Sequence, residues 1–269
     1  MEDFSEQNKY ESEFCLHPSF DFPFSSQTNK RFIVLSTPRS GSTMLTSALF
    51  ETSSAGAPFE YLHESSLKYA GNPERHPGGL KKYFEDLEAK RTSPNGVFGI
   101  KLAFDQYNEL FGRNPISAEY GFNFLRGFDK FILIHRRDKI MQSISSVIAK
   151  HNQIWALTNT ADRPALDYNL DAVDIETISK AITGHLVADN SWRQVLAYLR
   201  KDYLEIAYED LHENLGNEMR RFFDYVGIEA DLPENIEAPT IKTTNSESTS
   251  KIKNRYLKII GAFESDNKT

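Results

Sequence analysis

The sequence predicts an α/β protein with a mostly parallel central sheet flanked by helices. Three observations carry this expectation. The short apolar runs Phe32-Ile33-Val34-Leu35, Val97-Phe98-Gly99-Ile100 and Phe131-Ile132-Leu133-Ile134 suit strands buried on both faces. Segments with apolar residues at helical spacing lie between and after them. The two kinds of segment alternate along the chain, which favours a parallel sheet.

In chain order, residues 1–29 are polar and aromatic and read as an arm that wraps the domain or packs on a partner; the domain takes residues 30–269. The first strand runs into a glycine-containing turn, and Met44, Leu45, Ala48, Leu49 and Phe50 then recur with helical period. Residues 54–96 are rich in turn formers, with one helix expected at 79–91. Residues 105–127 read as a less regular connection. After the third strand comes His135-Arg136-Arg137-Asp138, with Asp138 as N-cap or first-turn acid of a helix striped by Ile140, Met141, Ile144, Val147 and Ile148. Residues 158–173 read as a loop containing Pro164, and 175–200 as a long amphipathic helix. Tyr203-Leu204-Glu205-Ile206-Ala207-Tyr208 is a fourth strand candidate, and a helix from Leu215 to Val226 ends at Gly227. Residues 240–254, rich in Thr, Ser, Asn and Lys, suggest a surface segment.

Bulk properties narrow the function. The 269 residues are 39% hydrophobic and 26% charged, enough to bury a core as one α/β domain or one domain with a lobe. A formal net charge of −7 gives no general attraction to nucleic acid or an anionic membrane, so an anionic ligand needs a local basic pocket. Cys15 is the single cysteine, which excludes an internal disulfide and a multi-cysteine zinc site, and no other cluster suggests a metal. The first 29 residues lack the basic and apolar segments of a secretory signal, and no apolar stretch reaches membrane-spanning length. A cytoplasmic location is expected.

The chemistry concentrates at strand ends. Between the first strand and its helix stands Thr37-Pro38-Arg39-Ser40-Gly41-Ser42-Thr43. The N–H groups and dipole of a helix start attract anions. Gly41 allows close backbone approach, Ser40, Ser42 and Thr43 line the turn, and Arg39 offers a planar fork for phosphate or sulfonate oxygens. A capped helix start with a surface arginine is the alternative. The pattern lacks the Gly-Lys-[Ser/Thr] ending of an ATP or GTP loop. Arg136 after the third strand, with Ser145 farther along the next helix, can hold a second phosphate, whereas Arg137 is expected outside the site. Two such elements imply a ligand with two separated anionic groups.

These residues carry a resemblance. The 37–43 turn resembles the 5′-phosphosulfate loop of sulfotransferases, and its Arg-Ser-Gly-Ser-Thr is similar to that of the bacterial trehalose 2-sulfotransferase family. Gly56-Ala57-Pro58-Phe59-Glu60-Tyr61, Gly96-Val97-Phe98-Gly99-Ile100-Lys101, the segment from Arg136 to Ser145, Asn152-Gln153-Ile154-Trp155 and Tyr208-Glu209-Asp210-Leu211 resemble further segments of that family, in its order. Past residue 235 the chain departs: Lys242-Thr243-Thr244-Asn245 stands where the family has Arg-Gln-x-[Asp/Asn] followed by a tryptophan.

The resemblance implies a P-loop-like sulfotransferase fold and transfer of a sulfuryl group from 3′-phosphoadenosine-5′-phosphosulfate to a hydroxyl of a carbohydrate or glycolipid, without a metal. Residues 39–43, Arg136 and Ser145 would hold the donor. Glu60 matches the family's catalytic glutamate and would be the general base, with Arg39 stabilising charge on the leaving phosphate. Glu60 read alone is a solvated loop carboxylate, and His63 and Glu64 are the nearby substitutes. Lys101 would meet the sulfonate or acceptor, or else be a strand-end surface lysine. Trp155 would stack on a sugar or adenine ring, or else be a core residue. The resemblance and the aromatic arm admit a homodimer. Two other readings stay open: a non-catalytic nucleotide- or glycan-binding protein on this fold, and a P-loop-type phosphotransferase.

Overall fold

A computed structural model describes residues 15–23, 27–70, 79–112, 115–152, 174–229, 232, 236 and 246–261. Four parallel strands, β1 (Lys30–Ser36), β2 (Val97–Ala103), β3 (Lys130–His135) and β4 (Tyr203–Ala207), form one sheet in the order β2-β1-β3-β4. The three apolar runs and the fourth strand candidate are therefore strands, except that Tyr208 starts the helix that follows, and the expected α/β architecture with a parallel sheet is observed. From β1 the chain crosses to β2 on one side and then returns past β1 to β3 on the other. This reversal is where open α/β sheets place ligands, at the carboxyl ends of the strands. Register aligns those ends: Ser36 lies beside Ala103, and His135 beside Ala207.

The chain divides into two compact units, residues Met1–Arg137 with Ala188–Pro239 and residues Asp138–Val187 with Thr240–Thr269. The first unit contains the sheet. Because side chains alternate across a strand, each strand supplies two cores. Ile33, Leu35, Ile100, Leu102, Phe131 and Leu133 pack on one face; Phe32, Val34, Ile132, Ile134 and Ile206 pack on the other. The second face is covered by α1 (Ser42–Glu51), α8 (Tyr208–Glu213) and α9 (Leu215–Val226). The first face is covered by α2 (Glu64–Tyr69), α3 (Gly79–Arg91), α4 (Phe104–Phe111), α5 (Pro115–Arg126) and the carboxyl-terminal part of α7 (Ile175–Leu199).

In the second unit α6 (Lys139–Asn152) packs on the amino-terminal part of α7 and on α10 (Ser246–Ile259), around Ile144, Ile148, Ile178, Ile252 and Tyr256. Asp138 accepts a hydrogen bond from the Met141 amide at 2.9 Å, the capping role expected of it. Gly227 ends α9 in the left-handed conformation, φ 71°, also as expected.

Three expectations are corrected. Residues 105–127 are not an irregular connection but the helices α4 and α5. Their apolar residues are mostly aromatic, α4 starts after Ala103 without a Ser, Thr, Asp or Asn cap, and α5 contains Gly121. That glycine is a packing requirement, because a Cβ would lie 2.7 Å from Phe111. The polar segment 240–254 contains the start of α10, whose Ile252 and Tyr256 are buried. In the turn-rich region the helix at 79–91 forms as expected, but it is preceded by α2. The loop at 158–173 and the segment Lys242-Thr243-Thr244-Asn245 lie outside the described residues.

Residues 15–23 of the arm pack on the first unit. The Phe20 ring meets Phe50 and Phe59 edge-on with centroids 5.2 and 4.9 Å away, and buried Arg91 donates to the His17 carbonyl at 3.1 Å and sits 3.1 Å from the Asp21 carboxylate.

Gly99 of β2 lies beside Phe32, and a Cβ there would come within 2.2 Å of the Phe32 ring. That ring is itself wedged edge-on against Phe222 at 5.0 Å. Gly99→Ala should therefore destabilise the protein by about 2–3 kcal/mol in urea unfolding, as overpacking does. An unchanged midpoint would contradict the packing described.

Candidate active site

The turn after β1 is shaped by two left-handed residues. Arg39 has φ 63° and Gly41 φ 90°, and the Ser40 amide closes the turn on the Thr37 carbonyl at 3.3 Å. A non-glycine residue at positive φ costs of order 1 kcal/mol, so the surroundings must hold Arg39 there. Gly41 is required twice over: by its φ, and because a Cβ would come within 2.6 Å of the Tyr208 ring. Gly41 is also the N-cap of α1 and supplies no side-chain hydrogen bond, which leaves the first-turn N–H groups without a side-chain cap. The Ser40 side chain is fully buried, and its hydroxyl has no hydrogen-bond partner among the described residues. Buried hydroxyls are seldom left so. An anion seated on the turn would give it one.

The back of the turn is pinned by α7. Thr37 Oγ1 donates to Asp189 Oδ1 at 3.1 Å, and Trp192 Nε1 donates to the Ser36 carbonyl at 2.9 Å. Thr37, Asp189 and Trp192 are all buried. The sequence reading missed Asp189, yet a signal was present. Ile178, Ile182, His185, Asp189, Trp192 and Leu196 recur at three- and four-residue spacing, so a carboxylate falls on an apolar stripe.

Lys101 joins the turn to Glu60. It is 6% exposed, on a strand whose seven residues are all buried. It is therefore not a strand-end surface lysine. Its Nζ lies 2.9 Å from Thr43 Oγ1 and 2.9 Å from Glu60 Oε1. The Lys101 amide also donates to the Phe59 carbonyl at 2.9 Å, which fastens the loop carrying Glu60 along β2.

Residues 55–62 of that loop are buried apart from Glu60, whose side chain is 30% exposed. Glu60 thus differs from an ordinary solvated loop carboxylate. Burial pushes its carboxyl up, but the Lys101 charge and hydrogen bond, nearby His63 and the Gln106 amide outweigh that and hold it below the usual carboxylate range. The substitutes are engaged elsewhere. His63 caps α2 by accepting from the Ser65 amide, and exposed Glu64 pairs with Lys68.

Arg136 follows β3, with its guanidinium 4.4 Å from the centre of the Tyr208 ring. Its Nε is buried without a hydrogen-bond partner among the described residues. Tyr208, which closes on Gly41 as well, therefore stands between the turn and Arg136. The sequence reading gave it no role. Arg137, expected outside the site, is held in a bidentate pair with Asp210 at 2.6 and 2.5 Å. Ser145 belongs to the second unit, where it is buried on α6. Trp155 lies outside the described residues. Among the described residues no group of three or more His, Cys, Asp or Glu could hold a metal ion, and no helix is long and apolar enough to cross a membrane.

A parallel sheet covered on both faces, a helix start without a side-chain cap after its first strand and basic side chains at neighbouring strands define an α/β protein of P-loop-like architecture. The chain belongs to the Stf0 sulphotransferase family, whose model matches residues 31–258. It is 25% identical over 265 residues to a trehalose 2-sulfotransferase of Mycobacterium tuberculosis, covering 86% of this chain and 96% of that protein. It is 24% identical over 235 residues to a trehalose 2-sulfotransferase of Mycolicibacterium smegmatis, covering 75% and 85%. A solved sulfotransferase domain from the Synechococcus PCC 7002 olefin synthase aligns distantly, at 15% identity and TM-score 0.39 over 90% of this chain and 98% of that one.

The depressed titration of Glu60 has a sign. Its pairing stabilises the fold in full at neutral pH and is lost as pH falls through the lowered folded-state pKa. Lys101→Met leaves a half-buried carboxylate without its cation. We expect a deficit of roughly 2–3 kcal/mol near neutral pH, below the full cost of breaking a buried pair because Glu60 is partly solvated. Urea unfolding should show that deficit shrinking on acidification, as Glu60 protonates in both proteins. A deficit independent of pH would contradict the pairing.

Proposed function

We propose that this chain transfers a sulfuryl group from 3′-phosphoadenosine-5′-phosphosulfate to a hydroxyl of a carbohydrate or glycolipid acceptor, with Glu60 as general base. The observation that carries this reading is the single ammonium that touches both Thr43 of the turn and Glu60, at 2.9 Å each. A base candidate thus stands one side chain away from an anion-receiving helix start. Family membership supports sulfuryl transfer, and the trehalose-acting relatives support a sugar hydroxyl as acceptor.

In this reading the 5′-phosphosulfate sits on the first-turn N–H groups of α1, with Ser40, Ser42, Thr43 and Arg39 around it. Arg136 takes the 3′-phosphate, its buried Nε finding an acceptor there. Ser145 enters through the family resemblance. Trp155 remains a candidate for stacking on a ring of donor or acceptor. The acceptor hydroxyl attacks sulfur in line with the bond to the leaving phosphate. An O–S bond forms on the acceptor and the S–O bond to the 5′-phosphate breaks. The hydroxyl proton passes to Glu60, and adenosine 3′,5′-bisphosphate leaves.

Charge grows on the leaving phosphate as this happens, and the helix start, Arg39 and Lys101 answer it. Lys101 has a second effect. A carboxylate clamped by an ammonium is ionised but weakly basic. Drawing the ammonium toward the donor's anion would raise the basicity of Glu60 when the donor is in place.

Glu60→Gln should lower sulfated-product formation by at least about a hundredfold, as loss of a general base does, with adenosine 3′,5′-bisphosphate affinity little changed. Arg39→Ala and Arg136→Ala should instead weaken that affinity roughly tenfold or more. Mass spectrometry of a sugar pool incubated with the donor, together with calorimetric titration of the nucleotide, reads both. Full turnover in Glu60→Gln removes the base. Unchanged affinity in both arginine variants removes the donor site.

A further inference from the structure

Gln106 is 8% exposed in the first turn of α4, and both ends of its amide are engaged. The Ala103 amide donates to Oε1 at 3.2 Å, which fixes the side chain's orientation and leaves Nε2 to donate to Glu60 Oε2 at 3.2 Å. Lys101 holds the other carboxylate oxygen, Oε1, from β2. Two donors on two separate elements thus grip the two oxygens of one carboxylate. Each oxygen therefore faces a donor, which favours the ionised carboxylate over the neutral acid.

We propose that Gln106 is a positioning residue for the Glu60 base. It holds Oε2, and so the plane of the carboxylate, while Lys101 is shared with the anion-receiving turn. This rests on the reading of Glu60 as the base. The division of labour follows from charge. The contact to Lys101 changes when an anion competes for the ammonium. The contact to the neutral, backbone-anchored amide does not, so it keeps the carboxylate aimed. The other ionisable groups acting on this carboxylate are His63, which precedes α2, and Asp105, which neighbours Gln106 on α4. Asp105 is itself pushed up, first by burial and then by Glu60.

The test is the titration of the Glu60 side-chain carboxyl in the full chain, followed by carbon-13 NMR with the Glu60→Gln protein assigning the signal. Gln106→Met removes the donor and should raise the Glu60 pKa by about half a unit or more. Gln106→Glu is nearly isosteric, keeps an acceptor for the Ala103 amide and sets a second carboxylate against Glu60. It should raise the pKa by about one unit or more. A residue that merely fills space would leave the titration unmoved in the methionine variant. An unchanged value there would overturn the proposal, as would a downward shift in Gln106→Glu. If the methionine variant does not fold, Gln106→Leu takes its place, and an unmoved titration there overturns the proposal in the same way. The readout needs no acceptor and no turnover. Glu60→Gln with full activity would sink the base while leaving the Gln106 contact standing, and an inert Gln106 would do the reverse.

Discussion

The Lys101 ammonium is held almost entirely out of water, on a strand packed on both faces. A charge in such surroundings persists when it is paired and its hydrogens are satisfied. Its partners come from two segments far apart in sequence, Thr43 at the start of α1 and Glu60 in the loop that follows the same helix. Satisfying this one cation therefore sets the distance between the turn after β1 and the Glu60 carboxylate. The backbone of the same residue helps, because its N–H takes the Phe59 carbonyl and lays the loop against β2. Phe20 of the arm then packs on Phe59 and Phe50, so the loop is gripped from both sides.

Around this pair the protein resolves a conflict of charge. The chain is acidic overall, with a formal net charge of −7, yet under the proposed function the turn has to attract an anion. Arg39, Lys101 and Arg136 all fall at or near carboxyl ends of strands, where helix starts add their partial positive charge. Buried Asp189 accepts from the Thr37 hydroxyl and acts as a fixed support for the turn. Tyr208 stands between Gly41 and Arg136 and so spaces the turn from the arginine that follows β3.

Much of this was legible in the sequence, and the reasons are physical. Strands buried on both faces appear as unbroken apolar runs, so β1, β2 and β3 could be read directly. The 37–43 turn stood out because glycine, hydroxyl residues and arginine met at the end of one such run. Short helices were hidden. α4 has eight residues and borrows Gln106 as its cap, and the tight packing of α5 depends on a glycine that normally argues against a helix. Side-chain partnerships were hidden as well. A lysine ending an apolar run looks like a surface residue until its neighbours are known, and nothing local reveals that it lies between Thr43 and Glu60. Asp189 was visible as a polar residue on an apolar stripe, but the turn it supports is 152 residues away.

The central claim is that the turn after β1 and Arg136 form two ends of one nucleotide site with Glu60 beside it. A crystal structure of the protein with adenosine 3′,5′-bisphosphate tests this most directly. The account predicts the 5′-phosphate on the first-turn N–H groups of α1, within hydrogen-bond reach of the Ser40 hydroxyl, and the 3′-phosphate on Arg136 Nε. A nucleotide bound elsewhere, or one that leaves the turn and the buried Ser40 hydroxyl untouched, would contradict it.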